Sequence, residues 1–174
     1  SLLSGAVTFY QSDVTINSAL FKQNRSGDDY LNIIRSDLDI KKSNFSNVLF
    51  DAIDMDFSTG SMQDVSFIKI GNDAIDVSGS EVKANNIIMS DIGDKGISVG
   101  ESSIFKVKNI TINNSHIGLA SKDNSHLEAV NIQIFNTKTS IAVYQKKSEY
   151  GPASVVVRTI NSADHIYFVE QNST

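Results

Sequence analysis

A short alternation of apolar and polar positions recurs along this chain at a fixed interval. Leu31, Ile53, Ile75, Ile97, Leu119 and Ile141 each stand 22 residues after the last. Two residues beyond them come Ile33, Met55, Val77, Val99, Ser121 and Val143, with Asn32, Asp54, Asp76, Ser98, Ala120 and Ala142 in between. An apolar residue at every second position is the period of a strand with one buried face. A second doublet precedes the first in each unit: Val65 and Phe67, Ile87 and Met89, Ile110 and Ile112, Ile132 and Ile134. A third is looser, with Leu38 and Ile40, Val82 and Ala84, Phe105 and Val107, and Leu127 and Ala129. Corners rich in Ser, Gly and Asp, such as Ser78-Gly79-Ser80, separate them.

Three short strands in one repeat leave no room for a helix, so each unit must wind as a coil. Stacked coils place equivalent side chains about 4.8 Å apart, with the apolar positions inside. The pattern therefore predicts an all-β, right-handed single-stranded parallel β-helix with 22-residue coils and three parallel sheets. Five or six regular coils would make a rod of about 30 to 35 Å. A left-handed β-helix uses hexapeptide units and so coils of about 18 residues, which this period does not match. A leucine-rich repeat places Asn where Phe135 stands.

Asp64, Asn86, Asn109 and Asn131 always fall one residue before the second doublet, and are expected to form a buried ladder of amides at a coil corner. Regularity fails at both ends. Lys22 to Asp29 reads as a loop, and Tyr144 to Pro152 is the longest polar excursion. If that excursion adds three residues, Ile166 and Phe168 continue the columns of Ile141 and Val143. Residues 1–174 read as a single β-helix domain, expected to be part of a longer secreted protein, since Leu2-Leu3-Ser4-Gly5-Ala6-Val7 enters a strand almost at once. Open first and last coils predict end-to-end self-association or contact with adjoining domains of the same polypeptide.

Composition narrows the partners. The chain of 174 residues is 40% hydrophobic and 20% charged, which excludes a disordered chain, and no apolar run approaches the roughly 20 residues of a membrane span. Its formal charge of -5, with no basic block, argues against nucleic acid and against membrane insertion. The absence of cysteine removes disulfides, thiolate metal sites and cysteine nucleophiles. Asn24-Arg25-Ser26, Asn44-Phe45-Ser46 and Asn109-Ile110-Thr111 are glycosylation sequons that carry glycans only in a eukaryotic source.

Any residue kept at the 22-residue spacing makes a stripe along the rod. Asp29, Asp51 and Asp73 form one, interrupted by Lys95; Asp54 and Asp76 form a second, pointing outward between the buried pairs. Asp56, Asn72, Asp94 and His116 are expected near the same corner, with Asp54, Asn72, Asp94 and His116 as ligand-binding candidates. Stacked carboxylates repel, and such a cluster relaxes by raising a pKa, recruiting Lys95 or binding a cation. Asp51, Asp54, Asp73 and Asp76 thus have the oxygen ligands calcium takes, although no cofactor is required. As catalysts, Asp51, Asp73, Asp76 and Lys95 would supply acid and base for cleaving a glycosidic bond. Solvated corner residues are the plainer reading of the same stripe. His116, His126 and His165 share no column, and Tyr144, Tyr150 and Tyr167 offer rings for sugar stacking or packing.

The stretch Gly71-Asn72-Asp73-Ala74-Ile75-Asp76-Val77-Ser78-Gly79-Ser80, followed by Gly93-Asp94-Lys95-Gly96-Ile97-Ser98-Val99-Gly100, resembles two coils of the polygalacturonases, members of the pectate-lyase-like superfamily. The resemblance implies a β-helix and matches Asp73 to the second aspartate of that family's double aspartate, and Asp51 to the aspartate one coil earlier. Asn72 stands at the first aspartate and Lys95 at the histidine, and no Arg-x-Lys follows. What this implies is a secreted or cell-surface bacterial module that binds polysaccharide or serves as a scaffold. The alternative is a lyase, epimerase or glycoside hydrolase acting on an acidic polysaccharide.

Overall fold

The computed structural model describes residues 5–24, 27–162 and 166–174. Leu2, Leu3 and Ser4 of the expected first strand, Arg25 and Ser26 of the Lys22 to Asp29 loop and its sequon, and His165 lie outside the described residues. Among those described there is no helix. The chain is a parallel β-helix of about seven turns.

Each turn visits three sheets. Sheet I stacks Gly5–Tyr10, Asp29–Ile34, Asp51–Asp56 and Ile75–Ser78 in parallel, with Leu31 on Ile53 and Ile53 on Ile75. The column runs on through Ile97, Leu119 and Ile141. Sheet II stacks Val14–Asn17 on Asp37–Lys41, and Leu38 on Gly60, then Val82, Phe105, Leu127 and Val155. Sheet III begins with Leu20–Lys22 on Asn44–Val48, and Phe45 on Phe67, then Met89, Ile112 and Ile134. In the central turns the backbone keeps pairing around the corners, so Glu81–Gly100, Ile104–Lys122 and His126–Tyr144 are each continuous.

The alternation read from the sequence faces as expected. Leu31, Ile33, Ile53, Ile75, Val77, Ile97 and Leu119 are wholly buried. Each such side chain contributes about 1.5–3 kcal/mol by leaving water. Inside sheet III the rings of Phe21, Phe45 and Phe67 stack at 4.4 and 5.1 Å, nearly parallel, because one ring per coil meets its neighbour at the stacking distance.

Two expectations need correction. The Asn column is a ladder, but it is exposed: Asn86 Nδ2 donates to Asp64 Oδ1 at 2.5 Å and Asn131 Nδ2 to Asn109 Oδ1 at 2.7 Å, while Asn109 reaches Asn85 instead. These residues hold φ of 53–57°, the left-handed region that Asn and Asp tolerate best, so corner geometry selects them rather than burial. The buried ladder is of serine. Ser36, Ser58, Ser80, Ser103 and Ser125 sit between sheets I and II, each Oγ accepting the backbone N–H of the serine one coil earlier, as Ser58 does from Ser36 at 3.1 Å and Ser80 from Ser58 at 2.9 Å. A hydroxyl there satisfies a corner N–H that leaves the sheet ladder.

The second correction concerns the last strand. Ile141 pairs with Tyr167 and Val143 with Val169, so the excursion adds four residues, not three, and Ile166 falls one position short of the column. The loop's length is set by its anchors: Asp123 Oδ1 accepts the backbone N–H of Lys146 at 2.6 Å and of Lys147 at 2.7 Å. Gln145 Nε2 donates to the carbonyls of Lys147 and Tyr150, and Lys147 pairs with Glu101.

Candidate functional site on the outer face of sheet I

Between the buried doublets of sheet I, one outward residue per coil forms a column. Register places Thr8 beside Asn32, Asn32 beside Asp54, Asp54 beside Asp76, and Asp76 beside Ser98. Four buried side-chain oxygens among the described residues lack a hydrogen-bond partner: Thr8 Oγ1, Asn32 Oδ1, Asp76 Oδ1 and Ser98 Oγ. All four belong to this column. Buried polar atoms are ordinarily satisfied, so orphans on both sides of Asp54 in one column mark a surface arranged for something other than its own packing.

Lys122 crosses the column. Its chain runs over Gly100, where an added Cβ would lie 3.0 Å from Lys122 Cε, and its Nζ comes within 3.8 Å of Asp76 Oδ1. Ser98, beside Asp76 in register, is wholly buried. Asp54 accepts a hydrogen bond from Asn32 Nδ2 at 2.9 Å. Burial, reinforced by the carboxylates of Asp56, Asp29, Asp76 and Asp51, pushes Asp54 up to about 8, so it holds its proton at neutral pH.

The neighbouring stripe of Asp29, Asp51 and Asp73 is differently employed. Asp51 Oδ1 accepts from the backbone N–H of Asp73 at 2.8 Å and from Asn72 Nδ2 at 2.7 Å; Asp73 Oδ1 accepts from the N–H of Lys95 at 2.9 Å. Each carboxylate thus ties its coil to the next. Burial raises both to about 6 against these bonds. Lys95 spans Asp73 at 3.4 Å and Asp94, and although burial works against its charge, those two carboxylates hold it above the usual lysine value. Burial raises the Tyr144 phenol, with the Lys95 charge opposing. Tyr144 packs edge-on against Phe168, with ring centroids 6.1 Å apart.

The sequence-predicted residues therefore divide. Asp54 and Asp76 share the orphaned column, with Asp51, Asp73 and Lys95 beside it and Asn72 and Asp94 stacked at the corner, where Asp94 N–H donates to the Asn72 carbonyl. The glycines of the same motif serve that corner: an added Cβ at Gly71 or Gly93 would fall 1.9 or 2.1 Å from a carbonyl of the coil before. His116 is exposed and has no hydrogen bond or ion pair. Asp56 sits at the other end of the sheet I strand, near Glu101 and Lys147, not at the Asn72 corner. Its pKa is raised, chiefly by burial. Among the described residues no three or more His, Cys, Asp or Glu side chains are arranged to hold a metal ion, because Asp51 and Asp73 turn oxygens onto backbone N–H groups while Asp54 and Asp76 stand in another column. Thr8, Asn32, Ser98 and Lys122 are not legible as site residues from the sequence, whereas Tyr144 is. The 22-residue spacing of Asn32 and Ser98 to the aspartates was the available signal.

No family model matches the chain, and no curated protein matches it. Its structure is similar to that of an alginate lyase from Paenibacillus sp. str. FPU-7, with a TM-score of 0.58 at 10% identity, covering 98% of this chain and 87% of that one. The likeness shows the fold: a parallel β-helix of the kind on which a polysaccharide lyase is built.

Proposed function

We propose that this chain is a polysaccharide-binding β-helix module, exposed outside the cell, which holds a linear glycan along the outer face of sheet I. The observation that carries the reading is the column Thr8, Asn32, Asp54, Asp76 and Ser98, with four buried oxygens that lack a hydrogen-bond partner. A polymer of hydroxyl-bearing rings running along the rod meets one polar group per coil, and displacing Lys122 would open Asp76 to it. Asp54, protonated at neutral pH, donates to a sugar oxygen as well as accepting. The likeness to an alginate lyase makes alginate the first polymer to test.

The test is affinity electrophoresis or calorimetry against alginate, polygalacturonate and neutral glucans, using wild type, Asp76→Asn and Ser98→Ala. Binding of at least one polymer, weakened in both variants, supports the reading. Retention of none, or equal binding by all three proteins, overturns it.

Catalysis is the second reading, favoured by Asp54, which titrates near neutrality one coil from Asp76. A carboxyl with a pKa near the working pH suits proton transfer to a leaving oxygen. New reducing ends, or unsaturated ends seen by ultraviolet absorbance, that disappear in Asp54→Asn would establish it; an intact polymer after prolonged incubation would refute it.

A further inference from the structure

Sheet II turns outward a face of both signs, acidic at Asp37 and Glu81 and basic along one groove. A groove of about 380 Å³ crosses it, flanked by Lys41, Lys83, Lys106 and Lys108, with Met62 and Ala84 at its base. Parallel register puts Lys83 directly beside Lys106, and Asn85 beside Lys108, so the cations sit in adjacent coils about 4.8 Å apart. Lys41 is paired with Asp39 at 2.7 Å. Lys83, Lys106 and Lys108 are exposed and have no ion pair among the described residues. Glu128, the carboxylate next to Lys106 in register, faces Arg158 Nε at 3.8 Å. The lining of this groove holds four lysines and no carboxylate, with Glu81 two residues before Lys83 and Glu128 beside Lys106 outside it, so an anion seated there would relieve the repulsion among the lysines.

We infer that the sheet II groove is a binding site for a carboxylate-bearing polysaccharide, separate from the column on sheet I. Three features select that class. Lys83 and Lys106 stand one coil apart, with Lys108 two residues beyond Lys106, so successive acidic rings of a polymer can each meet a cation. Between them stand Ser61, Gln63 and Asn85, whose hydroxyl and amides suit sugar hydroxyls. No aromatic ring lines the groove, so it lacks the stacking platform on which single-stranded nucleic acid is held.

The experiment measures binding of polygalacturonate, of dextran as a neutral polymer, and of a single-stranded DNA oligonucleotide, across a salt series. The proteins are wild type, the triple variant Lys83→Gln/Lys106→Gln/Lys108→Gln, and Asp76→Asn. All three lysines are exposed, so the triple variant should melt with wild type, and its melting curve is recorded as the check on folding. Expected are binding of polygalacturonate that weakens with salt, affinity on the order of tenfold lower in the triple variant, and no binding of dextran through this groove. Failure of wild type to bind polygalacturonate at low salt, equal binding by the triple variant, or tighter binding of DNA would overturn the inference. The two sites separate cleanly: loss in the triple variant alone upholds this groove without sheet I, and loss in Asp76→Asn alone does the reverse.

Discussion

The outward faces of sheets I and II rest on one frame and hold their charges in opposite ways. On both, parallel register sets like charges in adjacent coils about 4.8 Å apart, Asp54 beside Asp76 and Lys83 beside Lys106. On sheet II the lysines stand in water, where solvent and salt weaken their repulsion. On sheet I the carboxylates are half-buried or buried beside Lys95 and Lys122, and burial, with the neighbouring carboxylates adding to it, drives Asp54 to about 8 and Asp51 and Asp73 to about 6. A solenoid repeat therefore dictates where charges recur, and burial decides whether they remain surface or become reactive.

The contrast between inside and outside is the largest effect to test. Ile75→Ala or Ile97→Ala removes a wholly buried side chain from a central coil and should cost about 2–5 kcal/mol in urea unfolding, whereas Lys83→Gln should change stability by no more than about 0.5 kcal/mol. Equal costs would mean that the register is wrong.

Next comes the pH dependence that sheet I confers. Asp54, Asp51 and Asp73 have folded pKa values above those of the unfolded chain, so the folded state binds protons more tightly. Their contribution to stability is complete below about pH 4 and is lost as pH rises, through about 6 for Asp51 and Asp73 and about 8 for Asp54. Melting temperature should fall across this window, and Asp54→Asn should remove the upper part of the fall. A melting temperature that rises between pH 5 and 8 would contradict the burial of these groups.

Ser98→Ala should be neutral or stabilising by about 1 kcal/mol or less, because the hydroxyl is buried without a partner. A loss above that would reveal a partner for Ser98 Oγ. Smallest of all is the response to calcium: with Asp51 and Asp73 committed to backbone N–H groups, added calcium alone should leave the melting temperature unchanged, and a rise abolished by Asp76→Asn would restore the acidic stripe as a cation site.

Much of this architecture was legible because a solenoid repeats its physics. Once Leu31, Ile53 and Ile75 align, the coil length and three strands follow, and Asp54 beside Asp76 follows with them. The four-residue excursion was not legible, because its length depends on Asp123 anchoring Lys146 and Lys147 from another coil. Nor was the serine ladder, since serine at a corner also reads as an ordinary turn residue. Lys122 escaped notice because its role depends on a path across Gly100 that spacing alone does not reveal. The Asn ladder was seen in register but misplaced in burial, since corner residues with positive φ turn their amides toward water.

Sheet I presents a desolvated polar face, which we propose a glycan completes. Carboxyl carbon NMR of Asp54, followed through a pH titration with and without alginate oligomers, tests this most directly. A midpoint near 8 that moves when the oligomer is added is the predicted result; a midpoint near 4, unchanged by any glycan that the protein retains, would contradict it.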